Sequence, residues 1–239
     1  MAAPAVSLKL TIGSGSKLHY TDQATFTLQE DGRRTSRSDS YQYSIHAENC
    51  NPSSCTYSVT KDGIRLNVEV AIAHNGAILS VLSTNESDYN VGAALGTLAK
   101  KFIMFHGVEF EPGKERTCGV KWGDRVGLSN AAKSRLGELM TARCKLVKPE
   151  TAGGSDYVVI NYEQTLREIV GNIGVISQGE IMFDQTTGIL IKDEGRIISE
   201  DLPPPIEAFE ATGTSQLDSQ GSVIKNPASS LHVPLGQHP

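Results

Sequence analysis

Alternation of apolar and polar residues along the first third of the chain limits what it can fold into. Val6, Leu8, Leu10 and Ile12 alternate with Ser7, Lys9 and Thr11. Leu18, Tyr20, Ala24, Phe26 and Leu28 alternate with His19, Thr21, Thr25 and Thr27, and Tyr41, Tyr43, Ile45 and Ala47 form a further apolar face. Ile64, Leu66, Val68, Val70 and Ile72 make the longest such run. A period of two puts these side chains on one side of a strand, and a buried face backed by a wet one is the mark of antiparallel sheet. Asp31-Gly32 and Asp62-Gly63 fall between such runs, where Asp-Gly favours tight hairpins, and His74-Asn75-Gly76 turns the chain into Ala77–Leu82.

The period then changes. Val91, Ala94, Leu95, Leu98, Phe102 and Phe105 recur at helical spacing. They predict an amphipathic helix over about 88–106, capped by Ser87 or Asp88, ended by Gly107 and laid over an open sheet face. A second β-rich run follows Pro112-Gly113. Residues 129–141 read either as a helix capped by Ser129 (Leu136, Leu139, Met140) or as the approach to a strand (Met140, Ala142, Cys144, Leu146). Tyr157–Tyr162 reads as a strand, and 166–176 as one strand interrupted by Gly171 and Gly174. Strands at 181–183 and 189–191 flank the loop Asp184–Gly188, and Asp193-Glu194-Gly195 reads as a turn. Pro203-Pro204-Pro205 cannot sit inside a sheet ladder, and 206–211 with 222–224 could form a last weak hairpin. The organisation expected is a β-rich half with its helix over 1–110, a second β-rich half over 111–202, and a Pro-containing acidic segment over 203–239, disordered from 226. One continuous domain is the alternative. The fold class is mainly β: an antiparallel curved sheet or half-barrel, in one form two similar β halves, with a single covering helix.

The 239 residues carry a net charge of −5. From Glu180 onward there are nine acidic and three basic residues. This balance argues against a general nucleic-acid binder, and the local basic groups, Arg33, Arg34 and Arg37 and the pair Lys100 and Lys101, are not interleaved with aromatics. No stretch is long and apolar enough for a membrane span. Cys50 and Cys55 bracket the turn sequence Asn51-Pro52-Ser53-Ser54. Four cysteines in a Ser/Thr/Gly-rich β chain suggest disulfides and export, with Cys50–Cys55 and Cys118–Cys144 as the expected pairs. Zinc, or buried free thiols, are the alternatives.

Nucleophile-elbow, metalloprotease and phosphate-loop motifs are absent, and the six histidines lack metal-ligand spacing, so no catalytic residue, metal or cofactor is assigned. Asp22 stands out because a carboxylate on the apolar phase of a strand is expected to face an internal cavity. Aromatics on strands, with Trp122 the lone tryptophan, could line an apolar pocket.

The stretch Gly179–Gly188 reads G-x-x-x-F-D-x-x-T-G, and Trp122-Gly123-Asp124 precedes it. Together they resemble uncharacterised exported bacterial β-sheet proteins and lipoproteins, in the style of the half-barrel lipoprotein carriers of the cell envelope. The likeness covers 118–199 and extends in style to 18–82, but the chain carries no lipid-attachment cysteine near residue 1. The resemblance implies an envelope protein, periplasmic or secreted with its signal peptide removed, whose curved sheet and helix enclose an apolar ligand or lipid. Leu95, Leu98 and Phe102, with Asp22 and Trp122, are the ligand-binding residues expected. A module that binds a partner protein through sheet edges and the C-terminal segment is the second function class, and an enzyme with an unrecognised site the third.

Overall fold

The protein is described by a computed structural model over residues 5–83, 88–124, 126–152, 155–167, 174–200, 202 and 206–221. The strands are β1 Val6–Ser7, β2 Lys17–Glu30, β3 Arg33–Cys50, β4 Ser54–Lys61, β5 Ile64–Ala73, β6 Ala77–Ser83, β7 Glu109–Phe110, β8 Glu115–Gly119 and β9 Lys121–Trp122. They continue as β10 Thr141–Ala152, β11 Ser155–Arg167, β12 Gly174–Asp184, β13 Leu190–Glu200 and β14 Ile206–Gly221. Helix α1 spans Asp88–Leu98 and runs into a π-helical turn, Ala99–Ile103; α2 spans Asn130–Leu139.

Twelve strands form one curved sheet in the order β8-β10-β11-β12-β13-β14-β2-β3-β4-β5-β6-β9. Every pairing is antiparallel except the short parallel ladder of β6 with β9. The two strands at the ends of this order, β8 and β9, are consecutive in the chain with only Val120 between them. Val120 N–H donates to Met140 O at 3.1 Å as the chain passes from one end of the sheet to the other, so the sheet is nearly closed.

The Asp-Gly hairpins form as the sequence predicts. Glu30 pairs with Arg33 and Lys61 with Ile64, leaving two-residue loops. All four loop residues have positive φ, 48° and 70° at Asp31 and Gly32, 48° and 81° at Asp62 and Gly63, the twist that matches right-handed strands. The ambiguity at 129–141 resolves into both readings in succession. The Ser129 hydroxyl accepts from Ala132 N–H and starts α2, and β10 then buries Ala142, Cys144 and Leu146. Cys50 and Cys55 are disulfide-bonded.

Several expectations are corrected. Residues 166–176 are not one strand, since Arg167 pairs with Gly174 and the chain therefore reverses between β11 and β12. Asp193-Glu194-Gly195 does not turn but lies inside β13, with Gly195 paired to Gly179 on one side and Gly213 on the other. Residues 206–221 do not stand apart: β14 pairs with both β13 and β2 and joins the early and late strands into one sheet. Cys118 and Cys144 are buried free thiols. Cys118 lies opposite Ala142, so Cys144 is its diagonal neighbour. A diagonal pair is separated by about 7–8 Å, the limit of what a disulfide spans. The Cys144 thiol donates instead to Ala142 O at 3.7 Å, and the neighbouring Cys144, reinforced by burial, pushes the Cys118 thiol up. The possible Ser87 cap, the Pro203–Pro205 run and residues 222–239 lie outside the described residues.

The core lies inside the curve. Leu95, Leu98 and Phe102 pack into it, with Phe102 4.9 Å from Tyr57 between ring centroids. One end is closed by the N-terminal segment. Only β1 of the expected first strand is paired in a ladder, with β7. Leu8, Leu10 and Ile12 are nevertheless buried, and the backbone bonds loops: Leu10 N–H to His74 O and Thr11 N–H to Thr187 O, both 2.9 Å. His106 is buried in this plug, and its Nε2 donates to Gly188 O at 2.7 Å. Burial, only partly offset by that hydrogen bond, lowers its pKa to about 4.

Candidate functional site

The segment 88–104 has two inward faces, and only one is covered. Leu95, Leu98 and Phe102 fill the closed core. On the other side Gly92, Ala93, Gly96, Thr97, Lys100, Lys101 and Met104 line a cavity of about 520 Å³, within the ~300–1,000 Å³ of small-molecule sites. The opposite wall comes from β2, β3 and β11–β14, and α2 adds Leu136 and Leu139.

Register arranges the sheet wall in rows, because directly opposed residues of an antiparallel pair share a face. Asp193, Ser215 and Asp22 form one row across β13, β14 and β2. Gly195, Gly213 and Ala24 form the next, and Ile197, Ala211 and Phe26 the one beyond. All nine line the cavity. Along the helix side, Gly96 is exposed, Thr97 and Lys100 half-buried, and Lys101 and Met104 buried. The cavity therefore opens beside Gly96; the Asp193–Ser215–Asp22 row meets the two lysines and forms its floor, and the Phe26 row continues through Ile197 to Ser177 and Gln164, which are buried and also line the cavity.

Within the middle row, Gly195 is a glycine because Tyr162 lies over it and over Gly179 beside it. Tyr162 is opposite Gly179 and Gly179 opposite Gly195. A Cβ at Gly195 would stand 2.5 Å from the Tyr162 hydroxyl, and one at Gly179 2.8 Å from it. These glycines allow a close approach inside strands.

The floor holds two ion pairs. Lys100 Nζ donates to Asp193 Oδ2 at 3.0 Å and to the Tyr162 hydroxyl at 2.5 Å, and that hydroxyl donates to Asp193 Oδ1 at 3.0 Å. Lys101 Nζ lies 3.4 Å from Asp22 Oδ2 and 4.9 Å from the centroid of the Tyr20 ring. In the π-helical turn, closed by Met104 N–H to Ala99 O at 2.9 Å, successive side chains diverge by a smaller angle than in an α-helix. Both lysines accordingly face inward.

Burial pulls both ammonium groups down. At Lys100, Asp193 and Tyr162 together outweigh burial and its pKa ends above the ordinary lysine value. At Lys101, Asp22 does not, and its pKa ends below. Burial, Lys100 and Asp193 between them leave the Tyr162 phenol pushed up to about 12. Ser215 is 8% exposed, and its hydroxyl has no hydrogen-bond partner among the described residues.

Asp22 thus faces the cavity, as its phase on β2 predicts. Leu95, Leu98 and Phe102 do not line it, and neither does Trp122, which is half-buried with its indole nitrogen 3.8 Å from the Cβ position of Gly137 on α2. Lys100, Lys101, Asp193 and Ser215 were not among the expected site residues, whereas Phe26, Tyr41, Tyr43 and Tyr162, strand aromatics of the kind expected to line a pocket, do line it. A second concavity, about 680 Å³, lies over β10–β13 with Arg143, Lys145, Glu163 and Arg196 along it; it is more open and more polar.

No protein-family model matches the sequence, and no curated protein sequence matches it. Solved structures do. A structure titled for lipid–protein interactions in lipovitellin is similar over 92% of this chain, at a TM-score of 0.51 and 12% identity. The chain spans 26% of that lipovitellin chain. A Bacteroides fragilis protein described as exported, with a YmcC-like fold, is similar over 90% of this chain and 100% of its own, at a TM-score of 0.37 and 12% identity. The hypothetical lipoprotein YmcC from Escherichia coli is similar over 82% of this chain and 87% of its own, at 0.28 and 14%. Exported bacterial β proteins and lipoproteins, the group that the Gly179–Gly188 stretch resembles, are thus among the structures this chain is similar to. At these identities the likeness is one of fold.

Proposed function

We propose that this is an exported, non-catalytic binding or carrier protein of the cell envelope that holds one apolar or amphipathic small molecule between the bare face of α1 and the sheet. One observation carries the reading: the cavity is lined by residues with little or no side chain on both walls, Gly92 and Gly96 on the helix and Gly213 and Ala24 on the sheet. A glycine inside a helix costs about 1 kcal/mol against alanine. Nothing lies within 4 Å of a Cβ built at Gly92 or Gly96, so packing within the protein does not account for either. Room for a ligand does. The Cys50–Cys55 disulfide fits an oxidising compartment. The fold likeness to lipovitellin, whose solved structure is titled for its lipid–protein interactions, agrees with a lipid as the ligand.

The test is native against denaturing mass spectrometry of the purified chain, followed by titration with the neutral fluorescent dye N-phenyl-1-naphthylamine. A retained mass that disappears on denaturation, or saturable dye binding that Gly96→Leu abolishes without lowering Tm, is the expected result. A bare chain that takes up no dye would overturn the reading.

A further inference from the structure

Lys101 places a loosely held amine inside the cavity. Its side chain lines the cavity and is 6% exposed. Among the described residues its one carboxylate contact is long: Nζ lies 3.5 Å from Asp22 Oδ1 and 3.4 Å from Oδ2. The Tyr20 and Tyr43 rings flank it, their centroids 4.9 and 5.6 Å from Nζ. Lys100, the next residue, is the contrast. It donates to Asp193 at 3.0 Å and to the Tyr162 hydroxyl, and its side chain is 31% exposed.

The charged groups acting on Lys101 are Asp22, Asp193 and Lys100. Burial, helped by Lys100, favours the free amine, and the two aspartates oppose this without prevailing. At Lys100 the ammonium form wins instead. A lysine taken out of water beside a second cation is the setting in which an amine attacks a carbonyl carbon. Around this amine Phe26, Met104, Leu136, Leu139, Ile197 and Ala211 give the cavity apolar wall. A carbonyl compound with an alkyl chain has room there and surface to bury.

We propose that Lys101 holds an apolar aldehyde covalently, as an imine formed inside the cavity with Asp22 as its counter-ion. This rests on the carrier reading above and adds the reactive group of the ligand and the way it is held. Asp22 takes the ammonium proton. The Nζ lone pair then forms a C–N bond to the carbonyl carbon, and an N–H proton moves to the carbonyl oxygen. Asp22 returns its proton to that hydroxyl, which leaves as water, and a cationic imine remains. No oxidant or reductant is consumed. One cation again faces one carboxylate, so the product brings no new charge into the site. Hydrolysis reverses the step and frees the aldehyde, as a carrier requires.

The experiment exposes the full chain to decanal and sodium cyanoborohydride at neutral pH. Cyanoborohydride adds hydride to the imine carbon and fixes it as a secondary amine, which fragmentation mass spectrometry of the digested protein assigns to a residue. It is run on the parent protein with and without excess N-phenyl-1-naphthylamine, on the parent in urea, and on Lys101→Arg, which keeps the charge and forms no such imine. Labelling of Lys101 is expected about tenfold faster than that of Lys100 or of the exposed Lys9, Lys17 and Lys145, because the cavity holds the aldehyde beside the amine. Excess dye and urea should each remove this preference, and Lys101→Arg should not pass the label to Lys100. Labelling of Lys101 no faster than that of the exposed lysines, or preferred labelling of Lys100, would overturn the imine while saturable dye binding kept the carrier reading. Absence of dye binding and of selective labelling together would overturn both.

Discussion

The two inward faces of the 88–104 segment are built from opposite kinds of residue. One presents Leu95, Leu98 and Phe102 to a closed core. The other presents Gly92, Ala93, Gly96 and two lysines to open space and an ion-paired floor. The first anchors the helix, because buried apolar area is its main source of stability. The second contributes little to holding it in place and defines a volume. One element can therefore be rigid and still leave room for a guest, provided that the two tasks are kept on different faces.

Variants separate the two tasks. The largest effect is expected on the packed face: Leu98→Ala should cost about 2–5 kcal/mol in urea unfolding, with dye affinity unchanged in the fraction still folded. Equal loss of dye affinity would put Leu98 in the cavity wall.

The plug beneath that face gives an effect of similar size through pH. The folded pKa of His106 is depressed from 6.5 to about 4, so the folded chain resists a proton that the unfolded chain takes up. Its contribution is complete above about pH 6.5 and is lost as pH falls towards 4, roughly 3 kcal/mol in all. Stability curves from pH 7 to 4 should be flatter by that amount in a His106→Gln variant, and an unchanged slope would sink the assignment.

On the open face the two lysines should differ. Lys100→Met leaves Asp193 and Tyr162 without their cation and should cost about 2 kcal/mol, less than a fully buried pair because the Lys100 side chain is 31% exposed. Lys101→Met removes a poorly compensated ammonium, and Asp22, at 30% exposure, keeps access to water. Its effect should stay within about 1 kcal/mol. Equal losses would show that both pairs are structural.

The smallest effect has the opposite sign. Gly96→Ala adds a methyl that meets nothing within 4 Å and should raise stability by about 0.5–1 kcal/mol. Destabilisation in thermal melts would mean that the helix is closer to the sheet than described.

Much of this was legible in the residues. Asp-Gly pairs set two hairpins, helical spacing set the helix and its packed face, and a carboxylate on an apolar phase marked Asp22. The facing wall of the site was not legible. Gly, Ala and Thr carry no amphipathic signal, so the bare helix face was invisible beside Leu95 and Leu98. Asp193-Glu194-Gly195 has the composition of a turn. The glycine that suggests reversal is there to pass under Tyr162, a partner 33 residues away in sequence whose position only the register reveals. Ser215 is one of many serines until β14 is placed between β13 and β2. Residue types announce strands and turns, whereas a void depends on which small residues come to face one another.

The single-residue passage at Val120 makes the molecule a hoop rather than a strip. Strips offer raw borders to other strands, and natural sheets must blunt them. Here the two border strands, β8 and β9, follow one another in the chain with a single residue between them, so the borders are drawn together. The girth of the hoop is set by counting strands, and the volume inside it with it. Lengthening the joint by a few residues at Val120 would let the ring gape without touching any residue that lines its interior.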